Sequence, residues 1–166
     1  MFKLEPIKNM TEEERYRYMQ ILLKGQVSSE SDEIANISNA SAIIMACVDK
    51  LNWAGFYIFK NGELVLGPFQ GLPACNRIKV GTGVCGTSVL ERKVLRVEDV
   101  HKFPGHIACD SASRSELVIP IIKNEKVYGG LDLDSPYEGR FTELEERYMI
   151  KFVETLNDYI DWEKLI

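Results

Sequence analysis

The residues of this sequence best suited to chemistry are its cysteines, Cys47, Cys75, Cys85 and Cys109. Cys47 falls within an apolar helical pattern beside Val48, and this setting favours a small buried hydrophobic residue. The other three cysteines lie near loops and turns. A redox role requires a thiolate, an accessible position and a second cysteine within reach. These three cysteines are therefore the candidates for thiol chemistry.

Two local arguments point to different cysteines as the reactive one. The N-terminus of a short predicted helix would lower the pKa of Cys85. Cys109 lies in the aperiodic segment 98–114, where a substrate can approach and where backbone movement can bring a partner thiol close. Spacing and composition leave both assignments open.

Charge and terminal composition indicate a protein of the cytoplasm. The formal net charge of −5 argues against nucleic-acid binding, which requires clustered Lys and Arg side chains. Residues 1–20 lack the apolar run of a signal peptide, and no stretch approaches the roughly 20 apolar residues of a membrane span. We therefore expect a cytoplasmic protein without membrane or nucleic-acid partners, in which structural disulfides do not form.

Three acidic residues and two aromatic residues form a second group of candidates. Glu116, Asp132 and Asp134 stand in or beside strands whose other positions are apolar. Asp132 and Asp134 are two residues apart and share a face, where their charges repel unless a proton or cation is supplied. Trp53 and Tyr57 also share a face of a strand, either as core or as the apolar wall of a ligand site. A ligand with an ammonium group would relieve the repulsion, and an ordinary solvated face is the alternative.

Two other kinds of site match the sequence only weakly. Residues 81–86, GTGVCG, fit G-x-G-x-x-G, but only about ten residues separate them from the next strand, too few for the crossover of a dinucleotide fold. A tight turn into a short helix is the better explanation of these glycines. A zinc site with His101 or His106 would usually contain closely spaced cysteine pairs, whereas the nearest pair here is Cys75 and Cys85. We therefore favour neither a nucleotide nor a zinc site.

The elements that must position these residues follow from periodicity and from turn and capping residues. Helical patterns cover 11–26, a second stretch from Ile34 to near Leu51, 84–91, and a final stretch beginning at Thr142. Strand patterns cover 53–59 and 63–66, joined by an Asn61-Gly62 turn, and also 94–97, 116–123 and 126–134. The segment 98–114 is predicted to be a long loop. This order predicts one α+β domain over residues 1–166, with a central, mainly antiparallel sheet and the N- and C-terminal helices packed on one face.

A shared site for the three carboxylates constrains the last hairpin. A simple two-residue turn at Asn124 and Glu125 would pair Glu116 with Leu133 and place Glu116 on the wrong face. The sequence therefore predicts a three-residue loop or a bulge in this hairpin.

Several segments, taken together and in order, resemble the free methionine-(R)-sulfoxide reductases, which are GAF-domain proteins. These segments are NWAGFY at 52–57, LGPFQG at 66–71, CNRIKVGTGVCGT at 75–87, VEDVHKFPGHIACDSASRSE at 97–116 and LDLDS at 131–135. Generic GAF domains share the hydrophobic pattern but not the three cysteines or the GHIACD segment. The N-terminal helices match only in kind.

The resemblance implies a role for each candidate residue. Cys109 corresponds to the attacking cysteine, Cys75 to the usual resolving cysteine, and Cys85 to the third cysteine of the set. The pocket residues that it implies are Glu116, Asp132 and Asp134 as carboxylates and Trp53 and Tyr57 as an aromatic wall.

The resemblance also implies an activity, which is thiol-dependent reduction of free L-methionine-(R)-sulfoxide. The cycle would pass through a cysteine sulfenic acid and an intramolecular disulfide that a thioredoxin-like protein reduces, with no metal or organic cofactor. GAF domains often pair through helices, which allows a homodimer. The alternative is a GAF module that binds a small ligand for signalling without catalysis.

Overall fold

A computed structural model describes residues 5–105 and 111–166, with side chains from residue 7 onward. Its helices and strands, in chain order, are α1 (Glu12–Val27), α2 (Glu33–Cys47), β1 (Trp53–Lys60), β2 (Glu63–Gly71), β3 (Arg77–Lys79), α3 (Gly83–Glu91), β4 (Leu95–Val97), β5 (Ser115–Lys123), β6 (Lys126–Ser135) and α4 (Glu143–Tyr159). Short 3-10 helices occupy Glu5–Asn9, Val100–Lys102 and Trp162–Lys164. These bounds agree with four of the five predicted strands and with three of the four predicted helices, whereas β2, predicted over 63–66, continues to Gly71 because its pairing with β1 extends to Trp53. The short strand β3 and the 3-10 helix inside the predicted 98–114 loop were not predicted.

The first and last long helices begin at capping boxes, as the sequence predicts. Thr11 caps α1, and its backbone N–H donates to the Glu14 carboxylate at 2.8 Å. Thr142 caps α4 in the same way, with its N–H donating to Glu145 at 2.7 Å. Each box satisfies backbone N–H groups that have no partner within the helix. No helix in the described residues combines the length and the apolar content needed to cross a membrane.

The predicted end of the second helix was wrong. The apolar spacing continues to Leu51, but α2 ends at Cys47 and Val48 is already extended. Lys50 adopts a left-handed conformation with φ of 63°. Its carbonyl accepts a hydrogen bond from Ser135 Oγ at 2.7 Å. A tertiary contact with β6 therefore replaces the last helical turn that the local pattern favours.

Within the described residues, the six strands form one antiparallel sheet in the order β3-β2-β1-β6-β5-β4. Helices α1, α2 and α4 pack on one face against side chains that include Phe56, Leu117 and Leu133. This confirms the predicted placement of the N- and C-terminal helices. The short helix α3 packs on the opposite face, where Val84, Cys85 and Val89 contact a smaller cluster that includes Trp53, Tyr57 and Val118. The candidate residues that the structure describes lie on this second face.

A bulge in β6 sets the register of the last hairpin. The turn itself holds two residues, because Lys123 pairs with Lys126 and the turn residues Asn124 and Glu125 have φ of 50° and 63°. The register then shifts, since Ile122 pairs with Val127 whereas Ile121 pairs with Gly129, which leaves Tyr128 as the extra residue. Glu116 therefore lies opposite Asp134 rather than Leu133. The predicted bulge is confirmed, and it lies three residues beyond the turn.

Candidate active site

Three carboxyl groups converge on the α3 face of the sheet. Glu116 on β5 and Asp132 and Asp134 on β6 each present an oxygen within 4.8 Å of those of the other two. Glu116 is only 7% exposed and Asp132 only 5% exposed, so they do not form an ordinary solvated face. The alternative of a solvent-exposed acidic face is therefore wrong for these two residues.

Burial and mutual repulsion shift the protonation of this cluster. Burial raises the pKa of Glu116 well above its ordinary value, and the charges of Asp132 and Asp134 raise it further. Burial and the charge of Asp134 likewise raise the pKa of Asp132. Oxygens of Glu116 and Asp132 lie within 4.8 Å of each other, and a proton on one of the two carboxyl groups removes their mutual repulsion. The site therefore holds a carboxylic acid proton at a pH where exposed carboxyl groups are ionised.

The aromatic wall lies next to these carboxyl groups. Trp53 on β1 lies directly opposite Asp134 on β6, so that one row across three strands holds Trp53, Asp134 and Glu116. The Trp53 ring stacks on Phe69, with centroids 5.3 Å apart, and on Tyr57, with centroids 5.9 Å apart. The predicted shared face of Trp53 and Tyr57 is therefore observed.

Gly55, which no local sequence pattern marks, makes room for this wall. A Cβ atom on Gly55 would lie 2.3 Å from Phe69 Cβ and 2.7 Å from the Trp53 ring. Any larger side chain would thus push the indole away from its position above the sheet. The AGF sequence around Gly55 carries no local signal of this contact, which arises only from pairing with β2.

Two buried polar atoms of the site have no hydrogen-bond partner in the described part of the chain. They are the indole Nε1 of Trp53, a donor, and Oδ1 of Asp132, an acceptor when it is ionised. Both side chains are at most 5% exposed. A buried polar group without a partner costs about 1–3 kcal/mol, so these atoms mark where a polar ligand can bind.

The cysteines differ sharply in their surroundings. Cys85 lies in the first turn of α3, is 3% exposed and carries a free thiol. Burial raises the pKa of this thiol well above its ordinary value, and the charges of Asp132 and Glu116 add to the effect. The expectation that the helix N-terminus lowers the pKa of Cys85 was therefore wrong. Cys47 is fully buried, as predicted, and burial raises the pKa of its thiol to about 11.

Cys75 is disulfide-bonded and half-buried. It lies in the segment between β2 and β3, and its carbonyl accepts a hydrogen bond from the Tyr57 hydroxyl at 3.0 Å. This bond ties the Cys75 backbone to the aromatic wall. Cys109 and His106 lie outside the described residues.

Ser113 and Arg114, which follow Cys109 closely in sequence, are anchored to the site. The Asn52 side chain donates to Ser113 Oγ at 3.0 Å, and the N–H of Arg114 donates to the carbonyl of Ser135 at 2.7 Å. Asn52 immediately precedes Trp53, and its own N–H donates to the Asp134 carbonyl at 3.1 Å. These contacts were not predicted, because they join residues far apart in sequence.

The weaker sequence motifs do not form sites in the described part of the chain. Gly81 and Gly83 have φ of 84° and 62°, and the Gly81 N–H donates to the Gly86 carbonyl at 2.8 Å. The glycines therefore make a tight turn into α3, and this N–H is not available to a phosphate. Across residues 5–105 and 111–166, the side chains close enough together to ligate a metal are the three carboxylates, with no cysteine or histidine among them.

Comparison with known proteins agrees with this geometry. The GAF domain family model matches residues 31–160. The free methionine-R-sulfoxide reductase of Escherichia coli (strain K12) is 48% identical over 130 residues, covering 78% of this chain and 79% of that protein. The chain belongs to the free methionine-R-sulfoxide reductase family of GAF-domain proteins.

Other members extend the similarity to three dimensions. The Saccharomyces cerevisiae free methionine-R-sulfoxide reductase is 39% identical over 158 residues, covering 90% of this chain and 87% of that protein. The crystal structure of the Neisseria meningitidis enzyme in complex with its substrate aligns with a TM-score of 0.89 at 34% identity, covering 94% of each chain. The resemblance inferred from sequence segments is therefore confirmed over nearly the whole chain.

Proposed function

We propose that this protein reduces free L-methionine-(R)-sulfoxide to L-methionine. One observation carries the proposal, which is that the buried carboxyl groups of Glu116 and Asp132 converge with Asp134 beside the indole of Trp53. Their raised pKa values favour a proton on one of the two. This arrangement offers an acid, a negative charge and an apolar surface within one small site. The named relatives with the same activity support the assignment.

The site is complementary to a small zwitterion. Asp134 and its neighbours would bind the α-ammonium group, which relieves the repulsion among the carboxyl groups. The methyl group would lie against Trp53, and the indole N–H, which has no partner among the described residues, would donate to an oxygen of the substrate. A methionine within a peptide lacks the free ammonium charge and brings extra backbone. The site therefore favours the free amino acid.

The reduction needs a nucleophile and a proton. The Cys109 thiolate attacks the sulfoxide sulfur, while the proton on one of Glu116 and Asp132 moves to the sulfoxide oxygen. The oxygen, with this proton, is transferred to Cys109 as a sulfenic acid, and L-methionine leaves. Cys75 then attacks Cys109, releases water and closes a disulfide.

Two features support Cys75 rather than Cys85 as the resolving cysteine. Cys75 is disulfide-bonded and half-buried, whereas Cys85 is a free thiol that is almost fully buried. The raised pKa of Cys85 also keeps it in the unreactive thiol form. Thioredoxin would then return the disulfide to two thiols, and this cycle suits the reducing cytoplasm. In this scheme one GAF domain, residues 1–166, carries the whole reaction, alone or as a homodimer.

A coupled assay with thioredoxin, thioredoxin reductase and NADPH tests the proposal. We expect NADPH consumption with free L-methionine-(R)-sulfoxide and little with the S epimer or with a methionine sulfoxide peptide. Binding of the sulfoxide without NADPH consumption or methionine release would instead identify a non-catalytic ligand-binding module. Equal rates with the peptide would contradict the role of Asp134.

A further inference from the structure

The segment 72–75 follows β2. It exposes apolar side chains next to Cys75, the proposed resolving cysteine. Strand β2 ends at Gly71, whose φ of 134° turns the chain away from the sheet. Leu72 is 65% exposed and Pro73 is also exposed, while Cys75 is half-buried and disulfide-bonded. Exposed apolar side chains are common on protein surfaces, and the distinguishing feature of Leu72 and Pro73 is their position beside the disulfide-bonded Cys75.

The backbone of this segment is also unpaired. Between Gly71, the last residue paired with β1, and Cys75, no backbone hydrogen bond joins residues 72–74 to another described residue. The segment is held at its far end, where Tyr57 donates to the Cys75 carbonyl and the Leu66 N–H donates to the Asn76 carbonyl. Backbone carbonyl groups on a segment that is fixed at the cysteine can accept hydrogen bonds from the backbone of another protein.

The chemistry of the proposed catalytic cycle indicates which protein would dock on this segment. A disulfide returns to two thiols only when a reductant supplies two electrons, and a protein dithiol does so by exchange through a mixed disulfide. We propose that the segment 72–75 is the docking surface for a dithiol protein of the thioredoxin type, with Leu72 as its apolar anchor. This inference rests on the proposed function, because that function makes the Cys75 disulfide an intermediate to be reduced.

The thiol–disulfide exchange conserves electrons and protons at each step. A thiolate of the docked protein attacks Cys75 Sγ, forms a mixed disulfide and displaces Cys109 as a thiolate, which takes up a proton. The second thiol of the docked protein loses its proton and attacks its own sulfur in the mixed disulfide. Cys75 leaves as a thiolate, and the dithiol protein departs as a disulfide. Cys75 is half-buried rather than fully buried, which leaves part of its side chain open to this attack.

The test measures disulfide reduction without the sulfoxide. Oxidised full-length protein is mixed with reduced thioredoxin at several concentrations, and the rate of Cys75 thiol release is followed by alkylation and mass spectrometry. Leu72→Ser should lower the second-order rate constant about tenfold, since burial of much of a leucine side chain is lost on docking. Leu72→Met, which keeps an apolar side chain of similar length, should restore most of the rate.

Two controls make the result specific. Ile21→Ser removes an equally exposed side chain, 66% against 65%, from α1 on the opposite face of the sheet, and it should leave the rate unchanged. Reduction by dithiothreitol, which needs no docking surface, should proceed at the same rate in all variants. An unchanged rate for Leu72→Ser with thioredoxin would overturn the inference. So would an equal loss with dithiothreitol, an equal loss for Ile21→Ser, or the absence of a Cys75 disulfide in the oxidised protein.

A protein that lacks the proposed reductase activity would give a different result from a protein that lacks the docking surface. In that case the wild-type protein with dithiothreitol would form no methionine from the sulfoxide. Rates of thioredoxin reduction would still report on docking, because this measurement does not depend on turnover.

Discussion

Glu116 lies directly opposite Asp134 across the β5–β6 ladder, and a single extra residue, Tyr128, makes this pairing possible. Gly129 permits the bulge, because its φ is 147° and a Cβ atom there would lie 2.0 Å from the carbonyl oxygen of Tyr57. The same bulge places Val118 opposite Asp132, which keeps the whole acidic row on the α3 face. A site with three carboxyl groups thus depends on one irregularity near the hairpin turn.

Replacing Glu116 with Gln tests whether this residue supplies the proton for catalysis. The variant lacks the acidic proton, and we expect kcat to fall about 100- to 10,000-fold, the usual contribution of a positioned acid. Glu154→Gln, at an exposed position of α4, should retain full activity. Steady-state rates with dithiothreitol check both variants, and a Glu116→Gln enzyme with wild-type kcat would exclude Glu116 as the acid.

The same variant should change how stability depends on pH. Because the pKa of Glu116 is raised on folding, its protonated form favours the folded state. This stability is complete below the unfolded pKa of about 4.3 and is lost as the pH rises through the folded pKa. The wild-type melting temperature should therefore fall from pH 5 to pH 8 more steeply than that of Glu116→Gln. A variant that melts below the wild type at pH 8, or whose slope matches it, would contradict this account.

Trp53→Phe should weaken substrate binding while the fold is kept. Phenylalanine preserves an aromatic ring against Phe69 and Tyr57 but removes the buried N–H that has no partner among the described residues. If this N–H binds the substrate, KM for L-methionine-(R)-sulfoxide should rise about tenfold.

Trp162→Phe is the matched control, since the Trp162 indole donates to Asn157 Oδ1 at 2.8 Å far from the carboxyl groups. It should lower stability by about 1 kcal/mol and leave KM unchanged. Urea unfolding and initial rates measure the two effects. An unchanged KM for Trp53→Phe would remove the indole N–H from the binding scheme.

The two cysteine variants should behave differently. Cys75→Ser should release about one methionine per protein molecule and then stall with thioredoxin, because the sulfenic acid has no partner for a disulfide. Cys85→Ser should keep the steady-state rate close to that of the wild type, since its thiol is buried and free. Rapid-quench assays of methionine release distinguish these outcomes. Sustained thioredoxin-dependent turnover by Cys75→Ser would make Cys85 the resolving cysteine.

Local patterns predicted most of the fold but only part of the site. Capping boxes and the Asn61-Gly62 turn depend on neighbouring residues, so these elements lie where the sequence places them. The shared face of the carboxyl groups could be inferred only by requiring that they meet, which is how the bulge was predicted. The end of α2 and the high pKa of Cys85 could not be predicted, because both are set by packing against distant residues.

The contact between Asn52 and Ser113 is also set by residues that are distant in sequence. Ser113 is 4% exposed and lies four residues after Cys109 in sequence, whereas Asn52 lies between the end of α2 and Trp53. In the proposed mechanism, their hydrogen bond joins the chain that carries the nucleophile Cys109 to the aromatic wall against which the substrate binds. Ser113→Ala should therefore lower the single-turnover rate about 10- to 100-fold, with little change in KM, because a small displacement of a reacting group has effects of this size.

Ser88→Ala distinguishes this positioning role from a general loss of stability. Ser88 is fully buried, and its hydroxyl donates to the Lys93 carbonyl at 2.6 Å at the far end of α3. Both alanine variants should lose about 1 kcal/mol of stability, but only Ser113→Ala should slow the first turnover. Ser113→Thr, which retains the hydroxyl, should restore the rate. If Ser88→Ala slows the reaction equally, or if Ser113→Thr fails to restore it, the hydrogen bond with Asn52 does not position the nucleophile.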